Sequence, residues 1–261
     1  MADRAVEFKA KLDALAAWPG RILFPPTCLA CASHVAEPGS LCPACWRETL
    51  FLERPWCAVL GIPFTHEMGE GAVSPAAIAD PPPYARARAA VSYRGVARRL
   101  VQGLKYRDRT DLAPWMAAWM ARAGAELLAD ADVIVPVPLH RRRFFLRRFN
   151  QSAELARALS ARSGIAFHGD LVVRVRSTKK QVGLKARERA ENVRGAFAVT
   201  EKGKALLRGR NVVLVDDVVT TGATVAAVTK ALLRGGAARV DVLAFARALP
   251  GDFRQDEQDP I

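Results

Sequence analysis

Two adjacent aspartates, Asp216 and Asp217, are separated by two residues from Thr220-Thr221-Gly222-Ala223-Thr224. Carboxylates accept hydrogen bonds, whereas threonine hydroxyls and backbone amides donate them. Upstream, Val212-Val213-Leu214-Val215 suits a strand buried on both faces, and from Thr224 onward the spacing is helical. The acidic pair thus falls at the strand's carboxyl end, where ligands bind in open α/β sheets. The loop falls at a helix start, where unpaired amides and the positive dipole end favour phosphate. Gly222 lets the backbone approach a ligand closely. Hydroxyl acceptors beside an anion cradle are chemistry for a ribose phosphate. The candidate ribose- and phosphate-binding residues are therefore Asp216, Asp217, Thr220, Thr221, Gly222, Ala223 and Thr224. The plainer account is that the aspartates only cap a turn. It explains one acid near a helix start, but not an adjacent pair with a Thr-Thr-Gly loop. Neighbouring carboxylates repel, so a site that keeps both needs a cation or a hydroxyl-rich ligand.

All five cysteines lie between positions 28 and 57. Cys28-Leu29-Ala30-Cys31 and Cys42-Pro43-Ala44-Cys45 are two C-x-x-C knuckles separated by ten residues, with Pro38-Gly39 as the return turn. Two knuckles supply the four soft ligands of a tetrahedral structural zinc. The predicted metal ligands are Cys28, Cys31, Cys42 and Cys45. A redox C-x-x-C is the rival reading, and a pair of them favours metal. Cys57 reads as a buried small hydrophobe, and His34 as a surface residue of the ribbon loop.

The formal net charge of +13 points to an anionic partner. Its arginines and lysines concentrate in three stretches: 86–109, 141–148 and 174–194. Arg141, Arg142, Arg143, Lys179 and Lys180 flank the predicted site loops, as candidates for nucleic acid or pyrophosphate. Tyr106, Phe144, Phe145 and Phe149 are interleaved with these charges, and exposed rings stack on bases. Core packing for the aromatics and a solvated surface for the charges are the plainer alternatives.

The elements that must position these groups alternate. Strands are predicted at 87–93, 133–137, 171–175, 212–215 and 240–245, and helices at 96–104, 112–128, 151–163 and 224–234. Such alternation predicts an α/β domain with a mainly parallel sheet flanked by helices. A further helix is predicted over 3–18. Gly69, Gly71, Pro75 and the run Pro81-Pro82-Pro83 mark a linker. The predicted organisation is an N-terminal helix and zinc ribbon over 1–64, a linker over 65–83, the α/β domain over 84–250, and a polar tail over 251–261. No internal repeat is visible. No apolar run reaches the roughly 18 residues that span a bilayer, and no secretory signal is present, which predicts a cytoplasmic protein without a membrane span.

The segment 212–224 resembles the signature of the type I phosphoribosyltransferases. Four stretches resemble the ComF family more narrowly: Val135-Pro136-Val137-Pro138-Leu139-His140, Arg148-Phe149-Asn150-Gln151, Gln181-Val182-Gly183-Leu184 and Asn192-Val193-Arg194-Gly195-Ala196-Phe197. So does the cysteine block, a double zinc ribbon in that family. The resemblance covers nearly the whole chain except its ends. It implies a type I phosphoribosyltransferase-like fold, with Asp216 and Asp217 on the ribose hydroxyls and residues 220–224 on the 5-phosphate. It implies a pyrophosphate loop after Val137 and a mobile loop over 176–191. The family often has a second half-site at Cys57 with a further cysteine three residues on, where this chain has Leu60. Purine-type members place a carboxylate where this chain has Thr220, so a purine acceptor is not expected. Two functions follow. One is a role in DNA uptake during natural transformation, with single-stranded DNA and competence-machinery proteins as partners. The other is an active phosphoribosyltransferase, with magnesium neutralising the pyrophosphate of phosphoribosyl pyrophosphate, and no identified catalytic residue or acceptor.

Overall fold

The structure, a computed structural model, describes residues 25–139, 149–176, 191, 193–249 and 252. The chain divides into two compact units, Met1–Glu48 and Thr49–Ile261. The first contains the two cysteine knuckles and the short helix Pro43–Glu48. The predicted helix over 3–18 and most of the polar tail lie outside the described residues.

The second unit is built on a five-stranded sheet of β1 (Ala87–Ser92), β2 (Val133–Pro136), β3 (Ala166–Phe167), β6 (Asn211–Val219) and β7 (Arg239–Arg247). Its spatial order is β1-β7-β6-β2-β3, and every neighbouring pair is parallel. A two-stranded antiparallel ribbon, β4 (Val172–Arg174) with β5 (Phe197–Val199), stands apart from it. The helices that matter to the site are α1 (Gly95–Tyr106), α2 (Ala113–Ala123), α3 (Gln151–Ser163), α4 (Glu201–Leu207) and α5 (Ala223–Arg234). This is the expected α/β architecture.

Buried strands with apolar residues on both faces require helices on both sides. Val212 and Leu214 of β6, with Val240 and Val242 of β7, share one core with Val225, Val228 and Leu232 of α5. Elsewhere Phe245 of β7 stacks on Trp119 of α2 at 5.9 Å, and Phe51 meets the same indole edge-on at 5.2 Å. The helix predicted over 112–128 is broken: Thr110–Leu112 is a 3-10 turn, and α2 ends at Gly124 before the short helix Ala125–Ala129. Tertiary packing sets that break, because a Cβ on Gly124 would fall 2.6 Å from a Leu243 methyl carbon. At α3 local signals decide both ends. The Asn150 side chain accepts from the Ser152 amide, and Gly164 closes the helix at φ 74°.

One expectation needs correction. The strand predicted over 212–215 continues to Val219, so Asp216 and Asp217 lie within it and not after it. The reason is the ladder on the other side. β6 pairs with β2 only as far as Val215, whereas its pairing with β7 runs on through Asp216 to Val219.

Segment 49–64 is hydrogen-bonded to β1, the sheet's edge strand. Leu52 donates to Ala90, and Ser92 donates to Leu50. Within 65–83 the chain forms a short helix, Pro75–Ala79. Among the described residues no helix is long and apolar enough to cross a membrane.

Candidate functional site

The topology makes a crevice. From β2 the chain passes through α3 to β3 on one side, and from the adjacent β6 it passes through α5 to β7 on the other. Right-handed crossovers leaving in opposite directions carry α3 and α5 to opposite faces of the sheet. The gap between the carboxyl ends of β2 and β6 is therefore the switch point at which α/β sheets hold ligands.

Two side chains from the start of α3 line this gap. The Asn150 amide nitrogen donates to the Val137 carbonyl at 3.0 Å, tying the helix start to the segment leaving β2. The Ser152 hydroxyl donates to Asp216 Oδ1 at 2.9 Å, and the Asp217 amide donates to the same oxygen at 3.0 Å. Asp217 Oδ2 lies 3.1 Å from the ammonium of Lys105, in the last turn of α1. The cation that an acidic pair demands thus comes from the chain itself. Burial, reinforced by the Asp217 charge, pushes the Asp216 carboxyl up to about 7. Burial alone would lower Lys105, but the Asp217 carboxylate more than offsets it and raises the ammonium's pKa.

Gly222 adopts φ 78° as the N-cap residue preceding α5, and as a glycine it brings no side chain to that helix start. Thr220, Thr221, Gly222, Ala223 and Thr224 line a small depression together with Asp216. Six of the seven predicted ribose- and phosphate-binding residues thus line one depression, and the seventh, Asp217, is the chain neighbour of Asp216 with its carboxylate against Lys105. Tyr84, buried, stands near Gly222, since a Cβ there would be 3.8 Å from the Tyr84 hydroxyl. A larger open cavity of about 490 Å³ runs along α5 from Ala223 toward Arg234, lined by Val193, Phe197, Ala226 and Lys230. Arg141, Arg142, Arg143, Lys179 and Lys180 lie outside the described residues.

Sequence reasoning missed Ser152 and Tyr84, and it placed Lys105 only in a general basic stretch. Each meets the site through the fold, 64 residues from Asp216 in the case of Ser152. The one local signal was the Asn150 cap, which fixes Ser152 in the first turn of α3.

In the first unit the Sγ atoms of Cys28, Cys31, Cys42 and Cys45 all lie within 4.8 Å of one another. A zinc with sulfur at about 2.3 Å makes a tetrahedron of edge about 3.8 Å, and Cys31 and Cys42 Sγ are 3.7 Å apart. The Cys45 amide holds the Cys42 thiol down at about 6, while burial pushes Cys45 up to about 12. Four crowded thiols cannot ionise together without a cation among them, and a dication supplies that charge. The cluster fits structural zinc, with four sulfurs closing the coordination sphere. Cys57 is fully buried, and its sulfur accepts from the amides of Leu60 at 3.3 Å and Ser74 at 3.2 Å.

Comparison with known proteins agrees with both parts. A family model of the double zinc ribbon domain matches residues 20–77, and one of the phosphoribosyl transferase domain matches residues 152–259. The chain is 35% identical to DNA utilization protein YhgH of Salmonella typhimurium over 228 residues, which is 85% of this chain and 90% of the relative. It is 33% identical to Competence protein F of Haemophilus influenzae over 158 residues, 57% of this chain and 67% of the relative. Among solved structures, TT1426 from Thermus thermophilus aligns at 21% identity over 56% of this chain and 79% of its own, with a TM-score of 0.33.

Two outcomes follow from the geometry. Asp216 stays protonated in the folded chain up to about pH 7 but ionises near 3.8 when unfolded. Its contribution to stability is therefore full below pH about 4 and lost as pH rises to about 7. Asp216→Asn should flatten the fall in melting temperature across that window, and a variant with the wild-type pH profile would refute the assignment. For the metal, elemental analysis should find about one zinc per chain. Cys42→Ser should lose it, and Cys57→Ser should keep it.

Proposed function

The chain belongs to the ComF family, a zinc ribbon followed by a type I phosphoribosyltransferase-like domain, and on that premise we propose that it serves DNA utilisation in the cytoplasm. In this reading it handles single-stranded DNA beside a site for phosphoribosyl pyrophosphate. Its relatives' names, DNA utilization protein and Competence protein F, support the biological half. The observation that carries the chemical half is the switch-point crevice, where Asp216 lines one depression with residues 220–224 at the glycine-led start of α5.

The residues divide the work. Asp216 and Asp217 accept from the ribose hydroxyls. Thr220, Thr221 and Thr224 donate to the 5-phosphate, with the start of α5 adding its dipole. Gly222 leaves no side chain between backbone and phosphate. Lys105 pairs with the Asp217 carboxylate, and Ser152 orients the Asp216 carboxyl. Magnesium bound with the pyrophosphate would supply charge neutralisation there. Arg141, Arg142, Arg143, Lys179 and Lys180 hold the pyrophosphate and the DNA backbone.

The cavity along α5 favours a second reading, an active phosphoribosyltransferase. There an acceptor atom would bond to the ribose C1 as the bond from C1 to the pyrophosphate oxygen breaks, and pyrophosphate would leave. Fixed charges would stabilise the oxocarbenium-like state between. Thr220, in the place of a purine-contacting carboxylate, argues against a purine acceptor.

Phosphoribosyl pyrophosphate with magnesium should raise the melting temperature. At a hundredfold excess over Kd the linkage is worth about 2.7 kcal/mol. Combining Asp216→Asn with Asp217→Asn should abolish the ligand-induced shift, and a full shift in that variant would move the site elsewhere. Single-stranded DNA should bind without strong sequence preference and weaken steeply with salt, at a log-log slope of about −0.7 per neutralised phosphate. Changing Arg141, Arg142 and Arg143 to Ala should flatten that slope by about 2 and leave zinc content unchanged. An affinity indifferent to salt would leave the enzyme as the better reading.

A further inference from the structure

We infer that residues 55–79 are a second copy of the zinc ribbon at 26–48 from which the metal has been lost, with Cys57, Leu60, Ser74 and Ala77 in the positions of Cys28, Cys31, Cys42 and Cys45. The match is one of hydrogen bonds, position by position. In the first ribbon the Cys28 amide donates to the Ser33 carbonyl at 2.7 Å, and in the second the Cys57 amide donates to Ile62 at 2.9 Å. Ala32 donates back to the Cys28 carbonyl as Gly61 does to Cys57, at 3.2 and 2.8 Å. Those two residues share a left-handed backbone, at φ 61° and 64°. Val35 donates to Pro26 as Phe64 does to Pro55, and the antiparallel bridge Thr27 to His34 recurs as Trp56 to Pro63. All these pairs are offset by the same 29 positions that separate Cys28 from Cys57.

The second knuckle repeats as well, three residues further on. Leu29 donates to Ser40 as Ala58 does to Ala72. The Cys42 amide donates to Cys28 Sγ at 3.3 Å, and the Ser74 amide to Cys57 Sγ at 3.2 Å. Each knuckle opens a short helix, Pro43–Glu48 in one and Pro75–Ala79 in the other. Cys42-Pro43-Ala44-Cys45 thus reappears as Ser74-Pro75-Ala76-Ala77. Cys42 and Ser74 are both 9% exposed, and Cys45 and Ala77 both 4%.

With three of four thiolates gone, what holds the second copy is its own unit. Leu60 packs on the main hydrophobic core. The Val59 carbonyl accepts from the Ala87 amide at 2.7 Å, and the Ala58 carbonyl from the Arg88 guanidinium at 3.0 Å. Gly61 lies so close to β1 that a Cβ would fall 2.2 Å from the Ala87 carbonyl oxygen. Docking on an edge strand covers unpaired backbone groups that would otherwise be exposed, and it supplies the order that a metal supplies in a free ribbon. Cys57 is kept because its sulfur still receives the Leu60 and Ser74 amides.

The test is to restore the lost ligands in the full chain. Combining Leu60→Cys, Ser74→Cys and Ala77→Cys should raise bound zinc from one to two per chain. It should also double the sulfur-to-metal charge-transfer absorbance after cobalt substitution. A folded triple variant with one metal, or a wild-type chain that already holds two, would overturn the inference. Hydrogen exchange on the wild type covers a triple variant that does not fold. Stripping zinc with a chelator should expose the amides of 26–48 and leave those of 55–79 protected, and simultaneous loss of protection would overturn the inference equally.

Discussion

The candidate site rests on one mismatch of length: β2 leaves the sheet at Pro136, while β6 and β7 stay paired to Val219. Beyond Val215 the β2 side of β6 has lost its partner strand, and the crevice opens there. Val137 makes a last contact with Val215 before the chain turns away. The Asn150 amide then ties that departing segment to the start of α3. Had β2 matched β6 in length, strand backbone would pair along the edge of β6 beyond Val215. The acidic pair would be a defect in a sheet interior, not the wall of a cleft.

Placing two carboxylates there has an electrostatic cost that the fold meets with three groups. Lys105 arrives from α1, the Ser152 hydroxyl from α3, and the Asp217 amide from β6 itself. The pair settles with Asp217 against an ammonium and Asp216 inclined to keep its proton. A ligand with two adjacent hydroxyls would bring donors of its own, favouring the ionised Asp216. Proton release on binding is then the expected counterpart of the raised carboxyl, by the same linkage that joins pKa to stability.

Much of this was legible in the sequence because it is local. The Asn150 cap and Gly164 bound α3, two C-x-x-C knuckles announce a thiolate tetrahedron, and Val212-Val213-Leu214-Val215 reads as a buried strand. What escaped depends on distant chain. The extent of β6 is set by β7, the break at Gly124 by Leu243, and the partner of Asp217 by a lysine more than a hundred positions upstream. Of the second ribbon the resemblance pointed only to the half at Cys57 and Leu60, and its other knuckle, Ser74 to Ala77, escaped for another reason. Sequence signals for a ribbon reside in its ligands, and three of the four ligand types have changed. What persists is the backbone hydrogen-bond pattern, which many side chains satisfy.

That contrast shows what the metal does in a ribbon. The two copies share turns, bridges and helix starts, so zinc does not select the backbone path. It compensates for the smallness of the body that path encloses. The first ribbon belongs to a unit of 48 residues, near the size below which chains need metals or cross-links to fold. The second is anchored on β1 of a unit with a full hydrophobic core, where Leu60 and Ala77 replace thiolates at little cost. Gly69 and Gly71, read from composition as linker residues, fall in the longer loop of the second ribbon. Loss of the ligands there and their retention in the first ribbon follow from one criterion, whether apolar burial nearby suffices to hold the turn.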